Sequence, residues 1–505
     1  MMLPMPWQLL FVPQALNKFM AKKLKIVHIA SEVAPFSKTG GLGDVSRSLP
    51  KALKRLGQEV MIITPLYGKV IDKKTYKLKL LLKGIDLKIN SRENIKVNYW
   101  RGYLMDDLPI YFVEYQKFFS QYKKLYGSKN ENARFLVFSV AALKLLSLLK
   151  FPADIIHCHD WQTGLIPYYL KTDFRYSKTL RNAKSIFTIH NLIFQLGHNW
   201  WEIPLAEKDY GRTRVPHLDN PELERINFAK RAILSADVIN TVSERYRSEI
   251  MTKKFGQDLH RILKNREAKL FGIINGIDYN TYNPEKDLGL NSQYSFLNHK
   301  EAKEKNKLFL QKRVGLPENS QVPILCTTSR VTFQKGFNLI LKILESLVKL
   351  NVQVVFMGDG NQEYIKPIKR LQKKYPKNIV WLPFRQSWET LLYAGSDFFL
   401  LPSNHEPCGI NQLIAMRYGC IPIVREIGGL YDTVENYNPT TKRGNGFTFK
   451  TEDSGTFFVA IIRALENYKH KKSFEKLVKT AMKESNSWEI PAKKYLELYY
   501  QALDY

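Results

Sequence analysis

The 505-residue chain is basic, with 77 Lys and Arg residues against 47 Asp and Glu residues and a formal net charge of +30. A hydrophobic content of 44% excludes an intrinsically disordered chain, and the length predicts two domains because one core rarely serves more than about 250–300 residues. The lysines are spread along the chain, which favours a solvated basic surface over a nucleic-acid partner. No apolar run reaches the roughly 20 residues that cross a membrane, so we expect no membrane contact.

Residues 1–21 are apolar but interrupted by three prolines, and they lack the cationic start of a secretory signal and the Ser and Arg content of a transit peptide. We expect this segment to be disordered, or an over-extended start, and the fold to begin near Lys22. The four cysteines lie in or beside apolar runs without a C-x-x-C pair, which indicates free, buried thiols in a reducing compartment. We expect a cytoplasmic protein, with a plastid as the weaker alternative.

A glycine-rich turn follows the first buried strand, residues 25–31. Residues 38–44 read KTGGLGD and open a helix that runs to about Leu56. Gly40 and Gly41 allow the backbone to approach a phosphate, the helix start presents free N–H groups, and Lys38 adds a positive charge. The turn is neither G-x-G-x-x-G nor a Walker loop, yet it predicts an anion-binding site.

Two later strands of the first half also end at polar side chains. Residues 154–159 precede Asp160, and residues 185–189 precede His190. His157 and His159 share one face of their strand and could hold a metal, but the sequence suggests no third ligand, so we expect no metal there. A lone histidine at a strand end, such as His190, is usually structural.

In the second half, a strand at residues 323–328 leads into the turn SRVTFQKG. Arg330 and Lys335 lie on either side of this turn, and Gly336 precedes a helix over residues 337–350. The forked guanidinium and the ammonium together suit a diphosphate. The alternative is a surface turn with two solvated basic side chains.

Residues 397–434 read as strand, loop, helix, strand and helix, which indicates a parallel sheet buried on both faces. Ligands of such sheets bind outside the carboxyl ends of the strands. A carboxylate there could bind a polyhydroxyl ligand and glycines could approach its anionic end, or the carboxylate could only cap a helix. The loops at these strand ends hold Glu406, Cys408, Gly409, Gly428 and Gly429.

These blocks resemble, in order, those of bacterial glycogen synthases and plant starch synthases. The matching segments are SKTGGLGDV, HDW, TIHN, GIINGID, R-x4-K and EPCGINQLIAMRYG, and the resemblance runs from about residue 22 to the end. It implies an α/β GT-B fold, with two Rossmann-like domains whose parallel sheets face a central cleft and close on the substrates. We expect a leader at 1–21, an N-terminal acceptor-side domain at 22–270, a nucleotide-sugar domain at 271–486, and a helix at 487–505 that crosses back to the first domain.

The resemblance also implies the reaction, in which glucose passes from ADP-glucose to the non-reducing 4-OH of an α-1,4-glucan with retention of configuration. It implies that Arg330 and Lys335 bind the diphosphate, and that Glu406 orients sugar hydroxyls. It places His190 over the donor sugar as a hydrogen-bonding group, with Asp160 and Asn275 in the sugar cleft. The chain contains no Asp-x-Asp pair, so we expect neither a metal nor another cofactor.

Two positions depart from the family pattern. Phe384 stands where the family tends to carry a tyrosine at the nucleobase, and Thr390 where it tends to carry a histidine, so base stacking survives but the choice between adenine and uracil stays open. The alternatives are another GT-B enzyme that uses a UDP-sugar and a non-catalytic glucan-binding relative. We expect Lys335→Ala and Glu406→Ala each to abolish turnover with little loss of folding, and the sequence predicts no oligomeric state.

Overall fold

The computed structural model describes residues 22–89, 93–105 and 107–505, so the segment expected to be disordered lies outside the described residues. The chain forms two compact units. Unit 1 comprises the described residues up to Asn240, together with Asn265–Lys269 and Ala492–Tyr505. Unit 2 comprises Thr241–Lys264 and Leu270–Pro491. Over the described part of the chain, no helix has the length and apolar character to cross a membrane.

The sheet of unit 1 has a parallel centre and an antiparallel edge. Its order is β3-β4-β5-β2-β1-β6-β7-β8, and the β3–β4 and β4–β5 pairs are antiparallel. The strands are β1 (Lys25–Ile29), β2 (Glu59–Pro65), β3 (Lys79–Lys88), β4 (Asn94–Leu104), β5 (Leu108–Glu114), β6 (Ile155–His159), β7 (Lys184–Ile189) and β8 (Val238–Thr241). The helices are α1 (Gly41–Arg55), α2 (Glu131–Leu148), α3 (Leu165–Lys171) and α4 (Phe228–Ser235).

The predicted first strand, glycine-rich turn and helix are confirmed as β1 and α1, and the predicted strands before Asp160 and His190 are confirmed as β6 and β7. Strands β1 and β6 are adjacent and parallel, while the chain continues from β1 to β2 on the other side. The connections therefore diverge between β1 and β6. In open α/β sheets this divergence leaves a crevice at the carboxyl ends of the two strands, which is where ligands bind.

Unit 2 contains a fully parallel sheet with the order β12-β11-β10-β13-β14-β15. The strands of the unit are β9 (Leu270–Gly272), β10 (Ile324–Thr328), β11 (Gln353–Met357), β12 (Ile379–Leu382), β13 (Phe398–Leu401), β14 (Ile421–Arg425) and β15 (Phe447–Phe449). Strands β10 and β13 are neighbours, and the chain diverges from them in opposite directions. The divergence point of this sheet therefore lies between the loops after β10 and β13.

The strands of this second sheet are buried on both faces by helices, as their apolar runs predict. The helices of unit 2 are α5 (Glu244–Ile250), α6 (His260–Asn265), α7 (His299–Val314), α8 (Phe337–Val348), α9 (Gln362–Lys374), α10 (Gln386–Gly395), α11 (Asn411–Arg417), α12 (Gly428–Thr433), α13 (Ser454–Lys469) and α14 (Lys471–Lys483). The last helix is α15 (Glu489–Leu503), whose residues from Ala492 onward belong to unit 1. All four cysteines are free and buried, which confirms the prediction for them.

Candidate functional site

The loops after β10 and β13 bring a cation and a carboxylate into contact in unit 2. Lys335 Nζ lies 2.5 Å from Glu406 Oε2, and the Ser403 hydroxyl donates to the same oxygen at 3.0 Å. The Lys335 side chain is 17% exposed and that of Glu406 is 7% exposed, so the pair is largely shielded from water. The second carboxylate oxygen, Oε1, accepts no hydrogen bond from the described residues. Such a pair suits a polyhydroxyl ligand with an anionic group, because Glu406 Oε1 can accept from a hydroxyl and Lys335 can pair with the anion.

The two loops are held together by their backbones. Asn404 N donates to the Gln334 carbonyl at 2.8 Å, and the Asn404 side-chain amide donates to the Phe333 carbonyl at 2.9 Å. Gly336 has a φ of +77°, and a Cβ there would lie 2.0 Å from the Pro402 carbonyl oxygen. The glycine after Lys335 is therefore required both by its backbone conformation and by the close approach of the β13 loop.

Arg330 differs from Lys335 in being exposed. Its guanidinium has no hydrogen-bond or ion-pair partner anywhere in residues 22–89, 93–105 and 107–505. The backbone beside it is fixed, because Val331 N donates to the Asp359 carbonyl at 2.9 Å and Gly358 approaches the Ser329 carbonyl too closely for a Cβ. The turn between β10 and α8 thus presents two cations, the exposed guanidinium of Arg330 and the shielded ammonium of Lys335.

Gly428 and Gly429 pack against the Glu406 loop instead of presenting unpaired amides. The Gly428 amide donates to Glu249 Oε1 at 3.1 Å, and the Gly429 amide donates to the Glu406 carbonyl at 3.2 Å. A Cβ on Gly428 would lie 1.9 Å from the Glu406 carbonyl oxygen, and one on Gly429 would lie 2.0 Å from that of Cys408. The glycine pair therefore positions the loop, and a phosphate at the Gly428 amide would have to displace Glu249.

Asn275 and Cys408, predicted from different motifs, are in contact within unit 2. The backbone and side-chain amides of Asn275 face the Cys408 thiol and act to lower its pKa, but burial outweighs them. Burial raises the pKa of the Cys408 thiol to about 12, so the thiol is neutral and is a packing group, not a nucleophile. The Asn275 Oδ1 atom is buried and has no hydrogen-bond partner within the described residues, which leaves one acceptor for a ligand hydroxyl. Next in the loop, Gly409 has a φ of +73° that disfavours other residues.

Phe384 lies just beyond the end of β12, two strands from β10. Its side chain is 46% exposed, and its backbone N–H donates to Asp359 Oδ2 at 3.3 Å. Phe384 and Arg330 are thus both linked to the loop that contains Asp359. An open aromatic face at this edge can stack on a nucleobase, since every base has a π-face.

In unit 1, the glycine-rich turn has the open geometry predicted for it. Gly40 has an extended φ of −158°, and no heavy atom lies within 4 Å of the position where its Cβ would be. Neither the conformation of Gly40 nor its neighbours in the structure require a glycine. A ligand that approaches the backbone closely would require one, because a side chain would obstruct it. Helix α1 starts at Gly41 without a side-chain cap, and Lys38 Nζ pairs with Asp44 Oδ2 at 2.8 Å. An anion at this turn would compete with Asp44 for Lys38.

Asp160 and His190 are brought together at the carboxyl ends of β6 and β7. The Asp160 carboxylate accepts from the His190 backbone N–H at 2.7 Å and from that of Asn191 at 3.4 Å. Asp160 has a φ of +56° and a ψ of 178°, a conformation that costs a non-glycine residue on the order of 1–3 kcal/mol. Burial raises the pKa of the Asp160 carboxyl to about 7. The strained, readily protonated carboxyl is typical of a functional position.

Glu32 belongs to the same edge but was missed in the sequence. It follows β1, is 3% exposed, and accepts from Thr39 N at 2.5 Å and from the Thr39 hydroxyl at 3.0 Å. Burial raises the pKa of the Glu32 carboxyl to about 7. Its contacts hold the start of the glycine-rich turn beside Lys38. The sequence signal was present, because Glu32 is a carboxylate beyond the end of a buried strand, as Asp160 is.

A histidine cluster lies in the core beneath this edge. Contrary to the expectation that no third ligand is present, His28 lies opposite His157 in the β1–β6 register, and the ring nitrogens of His28, His157 and His159 lie within 4.8 Å of one another. However, both nitrogens of His157 already lie within 2.7 Å of the Tyr499 and Thr188 hydroxyls. The His157 and His159 rings are also stacked, with centroids 4.1 Å apart, instead of converging on one point. This geometry favours a hydrogen-bonded cluster over a metal centre.

Comparison with known proteins places these sites in a family. The starch synthase catalytic domain matches residues 25–265, and the domain of group 1 glycosyl transferases matches residues 309–481. A glycogen synthase from Clostridium perfringens is 41% identical over 487 residues, which cover 95% of this chain and 98% of that protein. One from Thermosipho melanesiensis is 38% identical over 483 residues, which cover 95% of this chain and 99% of that protein.

The chain belongs to the glycogen and starch synthase family.

A solved structure agrees with this assignment. The catalytic domain of starch synthase IV from Arabidopsis thaliana, bound to ADP and acarbose, is 34% identical and superimposes with a TM-score of 0.84. The match covers 96% of this chain and 100% of that domain. The predicted GT-B class, two α/β units with parallel sheets, is confirmed, and so is the prediction of a glucosyltransferase that acts as a glycogen or starch synthase. The roles of the individual site residues stay predictions.

Proposed function

We propose that this synthase transfers glucose from ADP-glucose to the non-reducing 4-OH of an α-1,4-glucan with retention of configuration. The observation that carries the proposal is the divergence point of the unit 2 sheet, where the loop after β10 carries Arg330 and Lys335 and the loop after β13 carries Glu406, which pairs with Lys335. A nucleotide sugar needs both parts of this arrangement, because its diphosphate requires cations and its sugar requires hydrogen-bonding groups. The starch synthase IV match supports the same donor and acceptor, since that protein is bound to ADP and acarbose.

The chemistry that these residues perform is stabilisation of the leaving group. Breaking the anomeric bond adds negative charge to the diphosphate while the sugar becomes oxocarbenium-like. Arg330 and Lys335 are positively charged before the reaction begins. They can therefore stabilise the negative charge that develops on the diphosphate with little reorganisation of the site. Such preorganised donors are each worth about 10²–10³ in kcat in other enzymes. Lys38 and the uncapped start of α1 form a further anion-binding element.

The carboxylates have orienting roles in this proposal. Glu406 Oε1 accepts a hydrogen bond from a glucosyl hydroxyl, and the negative charge of Glu406 offsets the positive charge that develops on the sugar. Asp160, Asn275 and His190 hydrogen-bond to sugar hydroxyls. No pair of carboxylates acts as nucleophile and acid/base, and the proton of the acceptor hydroxyl passes to the departing phosphate oxygen.

We propose that the reaction needs no divalent cation, because Arg330, Lys335 and Lys38 supply positive charge and the chain lacks an Asp-x-Asp pair. Phe384 stacks on the adenine. The buried free cysteines support a cytoplasmic location, since they need a reducing compartment.

The test is release of nucleoside diphosphate from ADP-glucose and from UDP-glucose, each with glycogen present, with and without EDTA. We expect ADP-glucose to be preferred and EDTA to have no effect. A preference for UDP-glucose would overturn the donor assignment and point to Phe384 as the altered position. Glycogen binding without any diphosphate release would identify a non-catalytic glucan-binding relative.

A further inference from the structure

Three histidines of unit 1 form a continuous chain of imidazole contacts that ends at the predicted sugar site. Nδ1 of His28 on β1 lies 3.0 Å from Nε2 of His159 on β6. Nδ1 of His159 lies 3.0 Å from Nε2 of His190, which follows β7. His28 and His159 are completely buried and His190 is half-buried. Both distances are those of good hydrogen bonds, so each contact needs one N–H and one lone pair.

The protons of this chain are coupled. A neutral imidazole has one N–H and one acceptor nitrogen, and His159 uses both nitrogens. If its Nδ1 carries the proton, it donates to His190 and accepts from His28. If its Nε2 carries the proton, it donates to His28 and accepts from His190. Burial lowers the pKa of His28 and of His190 to about 3, and that of His159 well below its ordinary value, so all three rings are neutral near pH 7.

The open end of the chain selects between the two arrangements. Nε2 of His28 is buried and has no hydrogen-bond partner among the residues that the structure describes. In the second arrangement this nitrogen would be an N–H without an acceptor, at a cost of about 1–3 kcal/mol. In the first arrangement it is a bare lone pair, and under-satisfied acceptors are tolerated better than orphaned donors. The first arrangement is therefore favoured.

We propose that His28 and His159 are positioning residues that hold His190 in its Nδ1–H tautomer, so that His190 presents a hydrogen-bond donor to the bound sugar. This inference rests on the proposed function for the identity of the sugar, but the tautomer itself does not depend on it. Nε2 of His190 is the acceptor for His159 and is not available to the ligand. Nδ1 of His190 has no partner within the described residues, which leaves its N–H for an oxygen of the ligand.

His157 lies beside this chain but is not part of it. Its nitrogens contact the hydroxyls of Tyr499 and Thr188, and its ring stacks on that of His159. Hydroxyl groups rotate to donate or accept, so His157 imposes no proton order on its neighbours. His157 is therefore the matched control, since it has the same chemistry and burial but lies outside the chain.

The tautomer is measured directly by NMR of the full-length protein labelled with ¹⁵N at histidine. Long-range ¹H–¹⁵N correlations distinguish a proton-bearing from a bare ring nitrogen, and the His190 signals are assigned by their loss in His190→Gln. We expect a proton on Nδ1 and none on Nε2 of His190, with the same pattern for His28 and His159. A proton on Nε2 of His190 overturns the proposal, whatever the enzyme's activity is.

Variants test the consequence for turnover. In His28→Asn the amide nitrogen replaces Nδ1 as donor to His159, whereas His28→Leu removes the donor. We expect His28→Leu to lower kcat about tenfold with KM changed less than twofold, and His28→Asn to stay within about twofold of the parent. His157→Gln should retain the His190 NMR pattern. Equal kcat in the leucine and asparagine variants overturns the positioning role. If the parent has no glucosyltransferase activity but His190 carries its proton on Nδ1, the proposed function is refuted and the tautomer proposal stands.

Discussion

Replacing Lys335 by alanine removes the cation that lies 2.5 Å from Glu406 and leaves the carboxylate with the Ser403 hydroxyl as its remaining side-chain partner. The sequence alone predicts little loss of folding, but the burial of Glu406 changes that expectation. A shielded carboxylate without its cation costs about 1–3 kcal/mol. We expect Lys335→Ala to lower the free energy of unfolding of unit 2 by about 2 kcal/mol, and its Tm by about 4–8 °C.

A second substitution separates stability from catalysis. In Lys335→Ala/Glu406→Gln a neutral amide replaces the carboxylate and still accepts from Ser403, so stability should return to within about 1 kcal/mol of the parent. Turnover should not return, because the diphosphate still lacks its lysine, and we expect kcat to stay about 100-fold or more below the parent. Urea denaturation gives the stabilities, and diphosphate release from the donor with glycogen gives the rates.

The control is Lys342→Ala, which removes an exposed lysine from the helix that follows Lys335 and should change neither quantity. Two results would rule out this role of Lys335. Unchanged stability in Lys335→Ala would show that the ion pair does not contribute in solution. Recovery of turnover in the double variant would show that the role of Lys335 is to neutralise Glu406 and not to bind the leaving group.

Three further predictions follow from the geometry. Burial raises the pKa of Glu32 to about 7, so ionisation of Glu32 destabilises the fold increasingly as the pH rises from about 4 to 7. The free energy of unfolding of Glu32→Gln should therefore exceed that of the parent by up to about 3 kcal/mol at pH 8 but by little near pH 5. A pH-independent difference in urea denaturation would contradict this. Gly336→Ala should unfold readily because its Cβ would meet the Pro402 carbonyl, whereas Gly40→Ala should keep its Tm and lose donor affinity; an unchanged KM for the donor in Gly40→Ala would remove that turn from the site. Arg330→Ala should lower kcat about 100-fold without a change in Tm, and Arg330→Lys should recover only part of it because the fork is lost; a parental rate in Arg330→Ala would exclude its role.

Much of the site could be predicted because its residues follow buried strands. Asp160, His190, Arg330 and Glu406 each come shortly after an apolar run, and parallel strands place their carboxyl ends at one edge of the sheet. The contact of Lys335 with Glu406 was not evident, although both were candidates. It depends on β10 and β13 being neighbours, which the strand order along the chain does not reveal.

The remainder depended on packing between distant segments. His28 and His159 are 131 residues apart and meet only because β1 and β6 pair in parallel, so the sequence did not indicate that His28 joins the cluster. The Gly428 amide was predicted to approach an anion, but Glu249, 179 residues earlier, accepts its hydrogen bond. Such partners are set by tertiary register, which local residue patterns do not encode.

In the proposed reaction, Arg330 and Lys335 of unit 2 carry the charge of the departing diphosphate without a divalent ion. The most direct measurement is the initial rate of ADP release from ADP-glucose and glycogen, in excess EDTA, for the parent and for Lys335→Ala with Lys342→Ala as control. We predict the same parental rate with and without EDTA, a loss of about 100-fold in Lys335→Ala, and no loss in the control. A parental rate that EDTA abolishes and Mg²⁺ restores would show that a divalent ion carries this charge instead.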